Sequence, residues 1–388
     1  MALAPISPTL RATRRRFTQT RIEMPRSSAL PTHDKIAGID GLRALAALAV
    51  FMLHTGHGLA KGGGIGVDIF FVISGFVITR SLLREYSVHG AINIPAFYLR
   101  RVVRLWPALI VLALTIWLIY PTQTTLTKEV LPSIFYYTNW AIYFGYGPFI
   151  IGHTWTLAVE EQFYLVWPFA LKLGIRILKS EKAAIAILML ALAPVIWRIV
   201  VIAQGAPLSD PRLTFFGGRS EGLYLGAALA FLRPDQVKQL ARPFRLAALY
   251  LIVCFHFSHP SQGWFSLGGS FLVQLSTTIV LAQLVTYPES RAVKWLEWPP
   301  LRKLGQISYG FYLWHFPILE FLLIGTPIKS VASFVLTLAC ATLSWHLIEV
   351  PAKRLLPRWA SASAARYLKE EPTEDTAQLS LSPPSTGA

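Results

Sequence analysis

Apolar stretches of membrane-spanning length recur along almost the whole chain, at roughly 39–57, 66–84, 105–122, 155–175, 183–204, 215–232, 244–257, 265–286, 304–325 and 328–350. A helix needs about 20 apolar residues to cross the hydrocarbon core of a bilayer. The pattern therefore predicts an all-α fold, a polytopic membrane helical bundle of about ten transmembrane helices. Composition agrees, with 54% of residues hydrophobic and 14% charged among 388. The seventh stretch is the shortest, and no internal repeat suggests the inverted halves of a transporter.

The formal charge of +16 could suggest nucleic acid, but the basic residues fall between the apolar runs. One set of alternate loops carries seventeen Lys and Arg, the opposite set four. By the positive-inside rule the basic loops and both tails are cytoplasmic, and an even number of spans is required. The partner implied is a lipid bilayer, not nucleic acid. Residues 1–35 are basic and lack the apolar core of a secretory signal. They are expected to be a disordered cytoplasmic tail, a reading ranked above an organelle transit peptide. Residues 36–356 form the membrane domain, and 357–388 a second disordered cytoplasmic tail. Cys254 and Cys340 share no metal-ligand spacing, so no metal site is implied and both are read as packing residues.

Charged groups inside apolar runs are costly, so each is a candidate functional group. Arg43 and His54 share GIDGLRALAALAVFMLHTGHG. Eleven helical steps bring His54 back to within roughly 20° of the Arg43 face, about 16 Å further along the axis. The alternative is a snorkelling arginine and a histidine bonded to a neighbouring helix. On the predicted topology Arg43 lies near the cytoplasmic face and His54 in the outer half. Asp68, in GVDIFFVISGF, starts near the level of His54, with Ser74 deeper.

In FYLRRVVRLWP, Arg100, Arg101 and Arg104 lie at the entrance to the third span, where guanidinium groups suit phosphate. Topology anchoring is the competing role. In GHTWTLAVEEQFYLVWP, Glu160 and Glu161 diverge by about 100°, so both are not expected to face one cavity. Glu160 is favoured as the inward group and Glu161 as the partner of a structural donor. His153 lies just before them. Arg219 and Glu221, in RSEGLYLGA, are candidate acceptor-binding groups near the outer end of the sixth span. The aromatic run LPSIFYYTNWAIYFGYGPFI is either an interfacial belt or part of an acceptor groove, where sugar faces can pack on rings. Asn139 and Trp155 are the candidate substrate contacts in this region. His315 in ISYGFYLWHFP is more readily a packing group than a catalyst, and His346 and Glu349 are read as end anchors.

Seven segments in order resemble the acyltransferase-3 family of membrane acyltransferases: DGLRALAALAVFMLH, GVDIFFVISGFVIT, RRVVRLWP, HTWTLAVEEQFYLVWP, RSEGLYLGA, ISYGFYLWHFP and IEVPAKR. The resemblance runs from about Gly38 to Arg354 and implies ten spans. It also implies an O-acyltransferase that moves an acyl group, typically acetyl, from cytoplasmic acyl-CoA to a hydroxyl of a glycan or other acceptor. The expected membrane is the bacterial inner membrane. Some relatives add an SGNH esterase-like domain, which this chain is expected to lack. The resemblance would place Arg43, Arg100, Arg101 and Arg104 on the phosphates of acyl-CoA. His54 would be general base or transient acyl carrier, with Asp68 or Glu160 orienting its ring. A proton-coupled transporter or lipid-linked-sugar flippase, relaying through His54, Glu160 and Arg219, is the alternative function. A non-catalytic scaffold would leave the intramembrane polar groups unexplained.

Overall fold

The computed structural model describes residues 36–356, apart from 57, 59, 179, 209, 214–218, 259–261 and 323–325. The two tails assigned from sequence lie outside the described residues. No strand occurs among the described residues. The chain opens with α1 (Ile39–His54), α2 (Ile65–His89) and α3 (Ile94–Ile119). Short helical turns then lead to α4 (Trp155–Ile177) and α5 (Ser180–Ala203). The second half holds α6 (Glu221–Leu229), α7 (Pro234–Leu240), α8 (Phe244–Phe257), α9 (Ser270–Thr286), α10 (Arg291–Leu296), α11 (Pro299–Gln306), α12 (Ser308–Leu322) and α13 (Pro327–Ser344).

Each of the ten apolar stretches overlaps helix, but the ten predicted spans are not all found as such. Five described helices are long and apolar enough to cross a membrane, and a sixth arises if α7 and α8, bent by 52°, count as one. The shortfall has local causes. α1 has 16 residues and α6 has 9. The ninth stretch is divided between α11 and α12. α4 carries Glu160, Glu161 and Lys172 too close together for an unbroken apolar span.

The predicted start of the third span is also displaced. Asn93 caps α3 by accepting from the Ala96 amide at 3.1 Å, and proline stands in the first turn, where its missing N–H costs nothing. The helix thus starts at Ile94, and Arg100, Arg101 and Arg104 lie within it rather than at its mouth.

Small residues let the helices meet backbone to backbone. A Cβ on Gly75 of α2 would sit 2.0 Å from the Leu223 carbonyl oxygen of α6, and one on Gly226 2.0 Å from that of Val72. This is the close approach that glycine permits between membrane helices. α1 and α12 pair along their lengths, with Phe51 and Phe311 rings 5.7 Å apart and both against Phe334 of α13. That pairing carries polar residues at two levels.

Candidate active site

At the first level, Arg43 of α1 donates from Nε to Ser308 Oγ of α12 at 3.1 Å and lies over the Phe70 ring of α2. It borders a cavity of about 100 Å³ between α1, α2, α3, α4 and α12. Arg101, Arg104, Glu160, Glu161, Ser74 and Tyr136 also line this space. Arg101 is spoken for: it donates to Glu161 Oε1 at 3.0 Å and lies 3.4 Å from the Tyr164 ring centroid. Neither Arg43 nor Arg104 forms an ion pair among the described residues. Glu160 accepts from Ser74 Oγ at 2.8 Å. The cavity thus combines one ion pair, Arg101 with Glu161, two guanidinium groups lacking a paired carboxylate, the Glu160 carboxylate and several hydroxyls.

Both glutamates border this cavity, against the expectation that only one could. The helix presents its edge to the space, so side chains 100° apart reach it from either side. Glu161 does satisfy a structural donor, as expected, through Arg101. Arg100 is elsewhere. It pairs at 3.2 Å with Glu85, whose other oxygen accepts from the Asn93 amide and ties the α2–α3 turn.

At the second level stand three histidines. His54 Nδ1 lies 2.9 Å from Val50 O and 3.3 Å from His315 Nε2. His315 Nδ1 lies 2.6 Å from Tyr312 O, and His153 Nε2 3.1 Å from Leu313 O. A carbonyl only accepts, so each of these nitrogens carries the proton when the ring is neutral. It follows that His315 Nε2 bears a lone pair and accepts from His54 Nδ1–H. His54 Nε2 then bears a lone pair with no partner among the described residues, and His54 is only partly buried. That is the state of a general base. Tyr312 joins the two levels: its hydroxyl donates to His153 O at 2.9 Å and contacts Thr156 Oγ1, while the residue borders the arginine cavity.

Among the described residues no carboxylate contacts His54. Asp68, fully buried, accepts from Arg219 and from Gln274 Nε2, the latter at 3.0 Å, and Glu160 is turned to Ser74. Arg219 and Glu221 are not free acceptor contacts either. Glu221 forms a buried pair with Arg198 at 2.8 Å, and Arg198 also donates to Ser266 O at 2.7 Å. Charges in a low-dielectric interior need such partners, and here the partners come from neighbouring helices. Trp155 packs edge-on to Phe71. Asn139, 2% exposed, exchanges hydrogen bonds with Gln162. His54, Glu160 and Arg219 form no chain of contacts, which removes the geometric support for the transporter relay.

Sequence reasoning passed over Tyr136, Glu129, Gln162 and Arg198. Glu129 accepts from the amides of Phe149, Ile150 and Ile151 and so fixes the loop that delivers His153. Arg198 in an apolar helix could have been found by the same rule that found Arg43. Glu349, read as an end anchor, is 2% exposed and accepts from Ser344 Oγ.

The comparisons with known proteins point one way. The profile of an acyltransferase domain, of the acyltransferase-3 type, matches residues 36–348. The chain is 33% identical over 355 residues to YrhL of Bacillus subtilis, whose name assigns it provisionally to peptidoglycan O-acetylation. It is 32% identical over 355 residues to the peptidoglycan O-acetyltransferase OatA of Listeria monocytogenes. The alignments cover 82% of this chain but 55% and 56% of those proteins, so the chain spans a little over half the length of these relatives. No solved structure matches. With its site built from the same segments that the profile covers, the chain belongs to the acyltransferase-3 family.

Proposed function

We propose that this protein is an O-acyltransferase that moves an acetyl group from acyl-CoA to a hydroxyl of a cell-wall glycan of the peptidoglycan class. The observation that carries the reading is the pair of guanidinium groups without an ion pair, Arg43 and Arg104, in a cavity whose Tyr312 is linked by its carbonyl, through His315, to His54 with its free lone pair. An anionic group has a place at one level and a hydroxyl has a base at the other. Family membership and the names of the relatives supply the acyl group and the acceptor class.

In this reading Arg43 and Arg104 hold donor phosphate, with Arg101 neutralised by Glu161, on the cytoplasmic side of the inner membrane. The two levels are separated by about 16 Å along α1, which the arm of CoA must bridge. The acceptor oxygen attacks the thioester carbonyl carbon while His54 Nε2 takes its proton. The carbon–sulfur bond breaks, and the imidazolium returns the proton to the departing thiolate. His315 Nε2 accepts from the opposite nitrogen throughout, as a carboxylate does in a Ser-His-Asp triad.

The test is acetyl transfer by the purified protein in lipid nanodiscs, with labelled acetyl-CoA and soluble glycan fragments of peptidoglycan. Labelled glycan and free CoA should appear in equal amounts. In sealed vesicles carrying the same protein, movement of label across the wall without release of CoA would make it a transporter instead.

A further inference from the structure

Tyr136 stands apart from every other side chain at the cavity. It is the one non-glycine residue with a positive φ among the described residues, at 53°. For an aromatic side chain that conformation is an outlier and has to be imposed from outside. The imposition is visible. Gln162 Nε2 donates to Tyr136 O at 2.9 Å and to Asn139 Oδ1 at 2.9 Å, and Asn139 Nδ2 returns a bond to Gln162 Oε1 at 3.2 Å. A paired amide bracket thus grips the backbone where it is strained.

What the strain achieves is the placement of one oxygen. The Tyr136 hydroxyl is buried and has no hydrogen bond of good geometry among the described residues, its neighbour Tyr309 giving its own proton to Leu105 O, yet the residue lines the cavity that holds Arg43, Arg101 and Arg104. A buried hydroxyl left without a partner is costly, and such exceptions in native proteins call for a missing partner. The surroundings define the partner. Three guanidinium groups, Arg43, Arg101 and Arg104, face two carboxylates, Glu160 and Glu161; Glu161 is engaged by Arg101 and Glu160 by the Ser74 hydroxyl, so the lining keeps an excess of positive charge and an oxyanion fits it better than a cation.

We propose that Tyr136 is a donor-binding residue whose hydroxyl donates to a phosphate oxygen held between Arg43 and Arg104, with the Asn139–Gln162 bracket holding it in position. The inference rests on the reading of this cavity as the acyl-donor site. It gives Asn139 and Gln162 a role in donor affinity without contact to the donor.

The experiment compares Tyr136→Phe, Gln162→Leu and Arg104→Ala in nanodiscs, titrated with CoA and, separately, with vesicles rich in phosphatidylglycerol. Tyr136→Phe removes an oxygen that forms no hydrogen bond of good geometry among the described residues, so the fold should be kept. Its affinity for CoA should fall about tenfold or more, as for loss of a hydrogen bond to a charged group. The KM for acyl-CoA should rise in parallel, with kcat at saturating donor and the KM for the acceptor unchanged. Gln162→Leu should reproduce the donor KM rise with Tyr136 intact, a split that mere loss of folded protein would not give. Unchanged CoA affinity in Tyr136→Phe, with Arg104→Ala weakened, overturns the assignment. Loss of binding to anionic vesicles alone overturns it in favour of a lipid phosphate. If Arg104→Ala also leaves CoA affinity intact, the donor-site reading itself fails.

Discussion

His54 has its reactivity set by what its other nitrogen touches. His54→Ala should keep the protein in the membrane and lower acetyl transfer by at least about 10²-fold, the range of general acid–base contributions. Near-normal turnover with full-length protein present would remove His54 from the chemistry. His315→Leu should lower kcat with little change in either KM, because the Nδ1–H of His54 then loses one of its two acceptors. Restoration by His315→Gln would mark the contact as a hydrogen bond rather than packing. The glutamates should separate: Glu160→Gln is expected to lower turnover per folded molecule about tenfold or more. Glu161→Gln should reduce yield or thermal stability, because it takes the carboxylate away from Arg101. The reverse pattern would exchange their roles. Arg43, His54 and Glu160 were legible in the sequence because an ionisable group within an apolar run has few reasons to be there. Tyr136 and Gln162 were not. A tyrosine in an aromatic loop carries no periodic or charge signal, and its strain exists only once Gln162 and Asn139 close on it.

Helices were legible as apolar runs, whereas their ends and their fitness to span were not. The start of α3 depends on a cap at Asn93, ahead of the apolar run that marked the span. The contacts between helices depend on glycine. Gly75→Ala or Gly226→Ala would place a methyl group 2.0 Å from a carbonyl oxygen of the opposing helix, so α2 and α6 must separate. Overpacking of this kind costs about 1–3 kcal/mol. Either variant should lower the melting temperature in detergent, and an unchanged melt would show that the helices part at no cost. Three short wide turns of π-helix among the described residues, Leu126–Val130, Phe265–Gly269 and Trp345–Glu349, lie where buried polar groups are served. The first carries Glu129, and in the second the Ser266 carbonyl is the one that Arg198 takes. Such turns are insertions in an otherwise regular helix and cluster at functional sites.

The molecule as a whole divides its charge between two kinds of place. In the half built around α5, α6 and α9, each buried guanidinium meets a carboxylate on another helix: Arg198 with Glu221, and Arg219 with Asp68. Removing one member strands the other, a loss of about 3–5 kcal/mol. Glu221→Gln should therefore reduce folded yield sharply, and the double variant Arg198→Met with Glu221→Leu should recover much of it. A double variant as poor as the single one would mean that the pair does more than neutralise itself.

The arginine cavity follows the opposite rule, because Arg43, Arg101 and Arg104 outnumber Glu160 and Glu161 there, and neither Arg43 nor Arg104 is ion-paired among the described residues. Until an anion arrives, that region opposes its own compactness, so donor and fold are linked thermodynamically. A ligand that binds only the folded state adds about 2.7 kcal/mol of stability at a hundredfold excess over its Kd. CoA, and more weakly inorganic pyrophosphate, should thus raise the melting temperature of the intact protein and leave that of Arg43→Ala with Arg104→Ala unmoved. The empty protein would then be the softer one, and the cell's supply of donor would set how long each copy endures.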